Sequence, residues 1–262
     1  MKHITIFVKQ GLKKISDITA EFLKYGFVIS TELDSKTELL LSLGGDGTMI
    51  STIKKGVKLD IPVLGLNMGR LGFLATDIGD KLSTIVKDLA EGCFYIEERN
   101  ILSIETKNKD KTIFQDTAVN ELVVRSLDIA RLTELEVKLN STLVSKYIGD
   151  GLMVATPTGS TAYSLSSGGP VITPDLDSFL LTPICAHSLN QRPLVFNSDK
   201  KVSIIPKSKD KLLISLDGQT NFKLGIKEYV VAYKYPKHAK IIKFHKDEFF
   251  EILRNKLSWG VR

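Results

Sequence analysis

The hydrophobic period of the chain changes near residue 94, and that change constrains the fold more than any other feature. Up to about residue 92, apolar runs alternate with stretches of helical spacing. HITIFV (3–8) reads as a strand, and Leu12, Ile15, Ile18, Phe22 and Leu23 then recur along a helix that Gly26 stops. FVIST (27–31) reads as a strand. ELLLSL (38–43) and IPVLGLN (61–67) are continuous apolar runs, the pattern of parallel strands covered on both faces. KLSTIVKDLAEG (81–92) is an amphipathic helix ending on glycine. Strand and helix in alternation predict a parallel α/β layer. Beyond residue 94 the period is two: FYIEERNILSIETK, LTELEVKLNSTLV, KVSIIPK, KLLISL, FKLGI and YVVAYKY all read as strands, with turns at Asn140-Ser141 and Asp217-Gly218. That half predicts an antiparallel sandwich. Phe249, Phe250, Ile252, Leu253 and Leu257 then predict a closing helix that packs back on the first half. The expected domains are residues 1–97 joined by the tail 247–262, and residues 98–246.

Composition narrows the function classes. The chain of 262 residues is 43% apolar and 25% charged, as in ordinary globular proteins. Its two cysteines, Cys93 and Cys185, make neither a disulfide framework nor a metal cluster and are expected as reduced, mostly buried thiols of a cytoplasmic protein. His3, His187, His238 and His245 show no metal-ligand spacing. No apolar run is long enough to span a membrane, and the N-terminus reads as a strand rather than a signal peptide. The net charge of +6 is concentrated in residues 201–262, which hold 14 Lys+Arg against 6 Asp+Glu. Those lysines are spaced singly between apolar residues, as on solvated strand faces. Nucleic acid is therefore not the expected partner, whereas a positive field suits anionic small substrates.

Three segments carry candidate chemistry. Gly44, Gly45, Asp46, Gly47 and Thr48 follow the apolar strand 38–43 and precede a helical stretch, MISTIKKG. Glycines at the carboxyl end of a parallel strand let the backbone approach a phosphate, and a helix N-terminus adds its positive dipole end. The turn is neither GxxxxGK[ST] nor GxGxxG. Its unusual member is Asp46, because a carboxylate beside phosphates is repulsive unless a metal or a proton-transfer role compensates. The second segment, Asp150–Pro170, is rich in glycine and hydroxyl residues, including Thr156, Thr158, Ser160, Thr161, Ser164, Ser166 and Ser167. It reads as a long loop suited to a ribose or phosphates, with Tyr163 available to stack on a base. The third is Asn120-Glu121 on the strand-like TAVNELVV, a pair suited to ribose hydroxyls or an adenine edge. His187 and Gln219 stand near turns, where a structural role is the default.

LGGDGTMI (43–50), GLNMGRLGFLA (65–75), NEL (120–122), GDGLMVATPTGSTAYSLSSGGP (149–170) and RPLVF (192–196) together resemble the NAD kinases in order and spacing. GGDG alone is less specific, since diacylglycerol and sphingosine kinases share it. The resemblance covers essentially the whole chain. It implies an N-terminal Rossmann-like parallel α/β domain and a C-terminal antiparallel β-sandwich that binds NAD and mediates oligomerisation as a homodimer or homotetramer. It further implies ATP-dependent phosphorylation of the 2′-hydroxyl of the adenosine ribose of NAD, with a divalent ion, Mg²⁺, accompanying ATP. Asp46 matches the catalytic base and Gly47 lies beside the nucleotide. Phe73 matches an aromatic residue lining the adenosine pocket, and Asn120 and Glu121 the pair that binds NAD. Asp150 matches an acid near the nicotinamide end that can come from a neighbouring subunit. Thr161, Ala162, Tyr163, Ser164, Leu165 and Ser166 match the substrate-binding stretch, and Arg131 and Gln219 fall where some members place binding side chains. Members often carry a basic residue before the GDG element, where this chain has Tyr147 and Ile148, a departure that bears on preference between NAD and NADH. Two rival readings remain at this level. A lipid kinase would need a membrane-facing basic helix, which is not evident. A non-catalytic dinucleotide sensor would gain little from Asp46.

Overall fold

The computed structural model describes residues 2–12, 15–67, 72–128, 131–207, 211–245 and 248–258. The chain divides into two compact units, residues 1–99 with 238–262 and residues 100–237.

The first unit is a seven-stranded sheet. Val28–Ser30, His3–Val8, Leu39–Leu43 and Val63–Asn67 lie side by side in that order, all parallel. The run LLLSL is buried at every position, because helices cover both faces of a parallel sheet. Ile15–Lys24 presents Ile18 and Phe22 to the core, and Leu82–Glu91 presents Ile85, Val86 and Leu89. Leu82–Glu91 ends on Gly92, whose φ of 77° closes the helix in the left-handed conformation.

Two expectations are corrected here. Ala239–Lys243, placed by sequence in the β-rich domain, is a strand of the first sheet, parallel to Val63–Asn67 and antiparallel to Tyr95–Arg99. Ile241 and Ile242 point to opposite faces of a strand and are both buried, which requires a sheet covered on both sides. The boundary therefore falls at residues 99 and 238 rather than 97 and 246. The two cysteines, expected to be mostly buried, are both exposed free thiols. Cys93 follows the glycine that ends a surface helix, and Cys185 sits just past a strand end with a positive φ of 47°.

The second unit is two six-stranded antiparallel sheets. Leu102, Ile104, Leu135, Val137, Val202, Ile204, Val230 and Ala232 of one sheet share a core with Leu122, Val124, Leu152, Val154, Phe179, Leu181 and Ile214 of the other. Val202–Pro206 and Leu212–Leu216 alternate buried with more exposed positions, the period-two signal seen in the sequence, whereas Gly151–Ala155 and Ser178–Ile184 are buried throughout. The turn Asn140-Ser141 joins Thr133–Leu139 to Thr142–Gly149, with Asn140 at a positive φ of 54°. Asp217-Gly218 turns between Leu212–Leu216 and Thr220–Leu224, and both residues have positive φ.

Candidate functional site

The chain runs outward from His3–Val8 in one direction along the first sheet and from Leu39–Leu43 in the other, so these neighbouring strands mark a topological switch point. Ligands of open α/β sheets bind at the carboxyl ends of strands at such a point. The Gly44–Thr48 turn lies there. The N–H of Gly44 donates to the Leu66 carbonyl at 3.0 Å, and the N–H of Lys9, at the end of the first strand, donates to the Leu43 carbonyl at 2.9 Å. A Cβ on Gly44 would stand 2.7 Å from Thr48 Oγ1 and 3.0 Å from Lys9 Cβ, so only glycine fits. The helix Asp46–Leu59 begins on the acid itself: Gly45 is the N-cap and makes no side-chain cap. Asp46 is therefore not a capping residue, and its carboxylate is available for another purpose.

That carboxylate meets backbone from GLNMGRLGFLA, of which Met68, Gly69, Arg70 and Leu71 lie outside the described residues. The N–H groups of Phe73 and Leu74 donate to Asp46 Oδ2 and Oδ1, each at 3.4 Å. A Cβ on Gly72 would overlap Asp46 Oδ1, which explains the second glycine of GRLGF. Phe73 is buried and packs on Phe249 of the C-terminal helix Glu248–Leu257, with ring centres 6.0 Å apart. The same helix brings Lys256 Nζ to 3.6 Å from Asp46 Oδ2 and to 4.8 Å from the centre of the Phe73 ring. The closing helix thus packs on the first unit as expected, but no sequence signal marked Lys256. It lies 210 positions from its partner, and only the fold brings the two together.

In the second unit the polar residues gather round one strand end. Asp150–Pro170 is not the long loop its composition suggested. It contains the strand Gly151–Ala155, a 3-10 turn at Thr158–Thr161 and a short helix at Tyr163–Ser166. Gly151–Ala155 pairs with Glu121–Ser126 so that Ala155 faces Glu121. Thr156 then locks the two segments together. Its N–H donates to the Asn120 carbonyl at 2.9 Å and its hydroxyl to the Val119 carbonyl at 2.6 Å, while the hydroxyl accepts from the Gly159 N–H at 3.1 Å. Ser160 ties the turn to Ile172, and the Ser164 and Thr182 hydroxyls meet at 2.9 Å. Much of the hydroxyl cluster therefore holds the segment's own shape.

Gly159 lies directly on the Asn120 carbonyl, where any Cβ would overlap the oxygen. Gly159→Ala is expected to cost about 1–3 kcal/mol through overpacking. The urea midpoint should fall, because Asn120 and the 156–166 segment must move apart. A variant with an unchanged midpoint would show that the segment relaxes freely.

Glu121 is the chemically distinctive group of this unit. It is only 6% exposed, and among the described residues Oε2 has no hydrogen-bond partner. Burial pushes its carboxyl up to about 8, the charge of Asp217 pushes it the same way, and the Tyr163 backbone N–H partly offsets both. Asp217 was legible only as a turn residue. Its Oδ1 accepts the N–H groups of Asn120 at 2.7 Å and Glu121 at 3.2 Å, and its Oδ2 accepts that of Val119 at 3.0 Å. The Asp217 N–H returns a bond to the Glu121 carbonyl at 3.0 Å. A turn aspartate at positive φ thus orients the Asn120-Glu121 backbone.

The remaining candidates do not join that cluster. Ile148 and Asp150 stand near the other end of the same strand pair, where Gly151 faces Arg125 and the Ser126 N–H donates to the Asp150 carbonyl at 2.9 Å. That places Asp150 roughly 17 Å along the strand from Glu121. The Asp150 side chain instead bonds Cys185 and pushes its thiol up. Tyr147 is buried with its hydroxyl pushed up, while Ile148 is exposed. Arg131 is exposed ahead of the strand Thr133–Leu139, and Gln219 is exposed on the 217–219 turn, its N–H bonded to the Leu216 carbonyl at 2.9 Å.

A glycine-rich turn that opens a helix at the switch point of a parallel sheet defines a phosphate-binding α/β protein. The sequence profile of the ATP-NAD kinase N-terminal domain matches residues 9–93, and that of the ATP-NAD kinase C-terminal domain matches residues 119–244. An NAD kinase of Sulfurimonas denitrificans is 38% identical over 248 residues, 94% of this chain and 86% of the relative. The chain belongs to the NAD kinase family. Yeast NADH kinase, solved with NADH, has the same fold at a TM-score of 0.89, with 22% identity, covering 100% of this chain and 89% of that one. An NAD kinase from Archaeoglobus fulgidus, solved with ATP, superposes at 0.81 with 23% identity, covering 99% of this chain and 100% of that one.

Proposed function

We propose that this chain transfers the terminal phosphoryl group of ATP to the 2′-hydroxyl of the adenosine ribose of NAD, giving NADP, with Asp46 as general base. Membership of the NAD kinase family supports the reaction, and one observation carries the base: Asp46 opens the phosphate-turn helix without capping it. In this step the ribose oxygen bonds to the terminal phosphorus as the bond from phosphorus to the bridging oxygen breaks. The electron pair leaves with ADP, and the ribose proton passes to the Asp46 carboxylate. The resemblance assigns Gly47 and Phe73 to the nucleotide. It assigns Asn120, Glu121 and the Thr161–Ser166 stretch, with Ala162, Tyr163, Ser164 and Leu165, to the adenosine. Arg131 and Gln219 are secondary contacts.

The donor set suits Mg²⁺ carried by the substrate. Among the described residues there is no cluster of three His, Cys, Asp or Glu side chains. Mg²⁺ keeps several waters and would be held chiefly by the substrate's phosphates, which leaves Asp46 to act as the base. When bound, it neutralises phosphate charge. The separation of Asp150 and Ile148 from Glu121 along one strand pair supports a homo-oligomer in which these residues serve a neighbouring subunit's site. Among the described residues no helix is long and apolar enough to cross a membrane, and a cytoplasmic location fits a reaction between two free nucleotides.

Purified protein incubated with NAD, ATP and Mg²⁺ should form NADP, read by a coupled NADP-specific dehydrogenase. Phosphorylation of diacylglycerol in place of NAD would overturn the reading, as would NAD binding without turnover.

A further inference from the structure

A carboxylate at a phosphate-binding turn poses an electrostatic problem. ATP brings several negative charges to a place where Asp46 already carries one, and like charges a few ångströms apart repel. The helix dipole offsets only part of this. The structure holds a cation at the turn. Lys256 Nζ lies 3.6 Å from Asp46 Oδ2, and its ammonium stands over the Phe73 ring at 4.8 Å. The helix that carries it is seated by buried Ile252 and Leu253 and by Phe249 against Phe73. Phe73 and Leu74 also donate their N–H groups to the same carboxylate. Asp46, the 73–74 backbone and Lys256 therefore form one constellation, built from three separate stretches of the chain. The pair is partly solvated, with side-chain exposures of 38% for Lys256 and 33% for Asp46. Pairs of that kind add little to stability, so its value lies elsewhere.

We propose that Lys256 is a positioning residue that neutralises Asp46 at the phosphate turn, so that the turn accepts the ATP polyphosphate without losing its base. The proposal rests on Asp46 being at the ATP site, but equilibrium binding tests it independently of turnover. Lys256→Met keeps an alkyl stem over Phe73 and removes the charge. Binding of ATP with Mg²⁺ is measured by calorimetry for the wild type, Lys256→Met and Lys256→Arg, each also in an Asp46→Asn background.

Lys256→Met is expected to weaken ATP binding roughly tenfold, between the limits for a fully exposed charge pair and for one near a protein surface. NAD affinity and the unfolding temperature should stay at wild-type values, and Lys256→Arg should restore ATP affinity to within about threefold. In the Asp46→Asn background the same change should have little effect, because no carboxylate remains to be neutralised. Unchanged ATP affinity in Lys256→Met would overturn the proposal. An equal loss with and without the Asp46 charge would also overturn it, since Lys256 would then be serving the phosphate directly. Should the methionine variant unfold, Lys256→Gln is read by the same criteria. The base assignment fails separately, if Asp46→Asn retains turnover.

Discussion

Asp46→Asn is expected to lower kcat at least about a hundredfold while leaving the fold and NAD affinity intact. Asparagine matches the carboxylate in size and keeps one oxygen for the Phe73 or Leu74 N–H, but it cannot take a proton from the ribose hydroxyl. General-base catalysis typically contributes about 10²–10⁴-fold, or roughly 3–5 kcal/mol of barrier. The first helical turn should survive, because Gly45 is the N-cap and the Asp46 side chain makes no capping bond. ATP should bind no more weakly than to the wild type, since a repulsive charge has gone. The coupled NADP assay reads turnover, and calorimetry reads both affinities. Near wild-type kcat would dismiss Asp46 as the base. Lost turnover together with lost NAD binding would point to misfolding instead.

Glu121→Gln is expected to remove a large pH dependence of stability. Burial and the neighbouring Asp217 charge push the Glu121 carboxyl from 4.5 up to about 8 in the folded protein. Between these two values the folded state keeps a proton that the unfolded chain has released. Stability is therefore fully present below pH 4.5 and falls as pH rises through about 8. At 1.36 kcal/mol per pH unit, the loss across that window is on the order of 5 kcal/mol. Glutamine has nearly the same shape and never ionises, so the variant should be the more stable protein at pH 8.5 and should show a flatter profile from pH 5 upward. Urea unfolding of both proteins at pH 5.5 and 8.5 checks this. Parallel profiles would mean that Glu121 is solvated or finds a partner for Oε2 in solution. NAD should protect the wild type most at high pH if its hydroxyls donate to that oxygen.

Much of the fold was legible because burial writes itself into hydrophobic period. Leu39–Leu43 is buried at every position and reads as a continuous apolar run, whereas Leu212–Leu216 alternates. Ala239–Lys243 was misassigned for a related reason. A short strand following a β-rich stretch looks like one more strand of that stretch, and its pairing with Val63–Asn67 crosses more than 170 positions of sequence. The cysteines were misjudged because residue type sets only a tendency to burial, and both stand at the surface ends of elements.

The candidate site divides along the same line. The sequence by itself determined the Gly44–Thr48 turn, the acid within it, the Asn120-Glu121 pair and the glycine- and hydroxyl-rich segment that follows, because each is a local run with a local physical signature. Only the tertiary structure decided what surrounds them. It kept the Asp46 side chain out of the helix cap, set Lys256 and the 73–74 backbone against its carboxylate, turned Asp217 from a turn residue into the holder of the Asn120-Glu121 backbone, and buried Glu121 deeply enough to keep its proton. Charge and burial act through space, over a few ångströms, and residues that far apart along the chain leave no periodic or local pattern by which their meeting could be read.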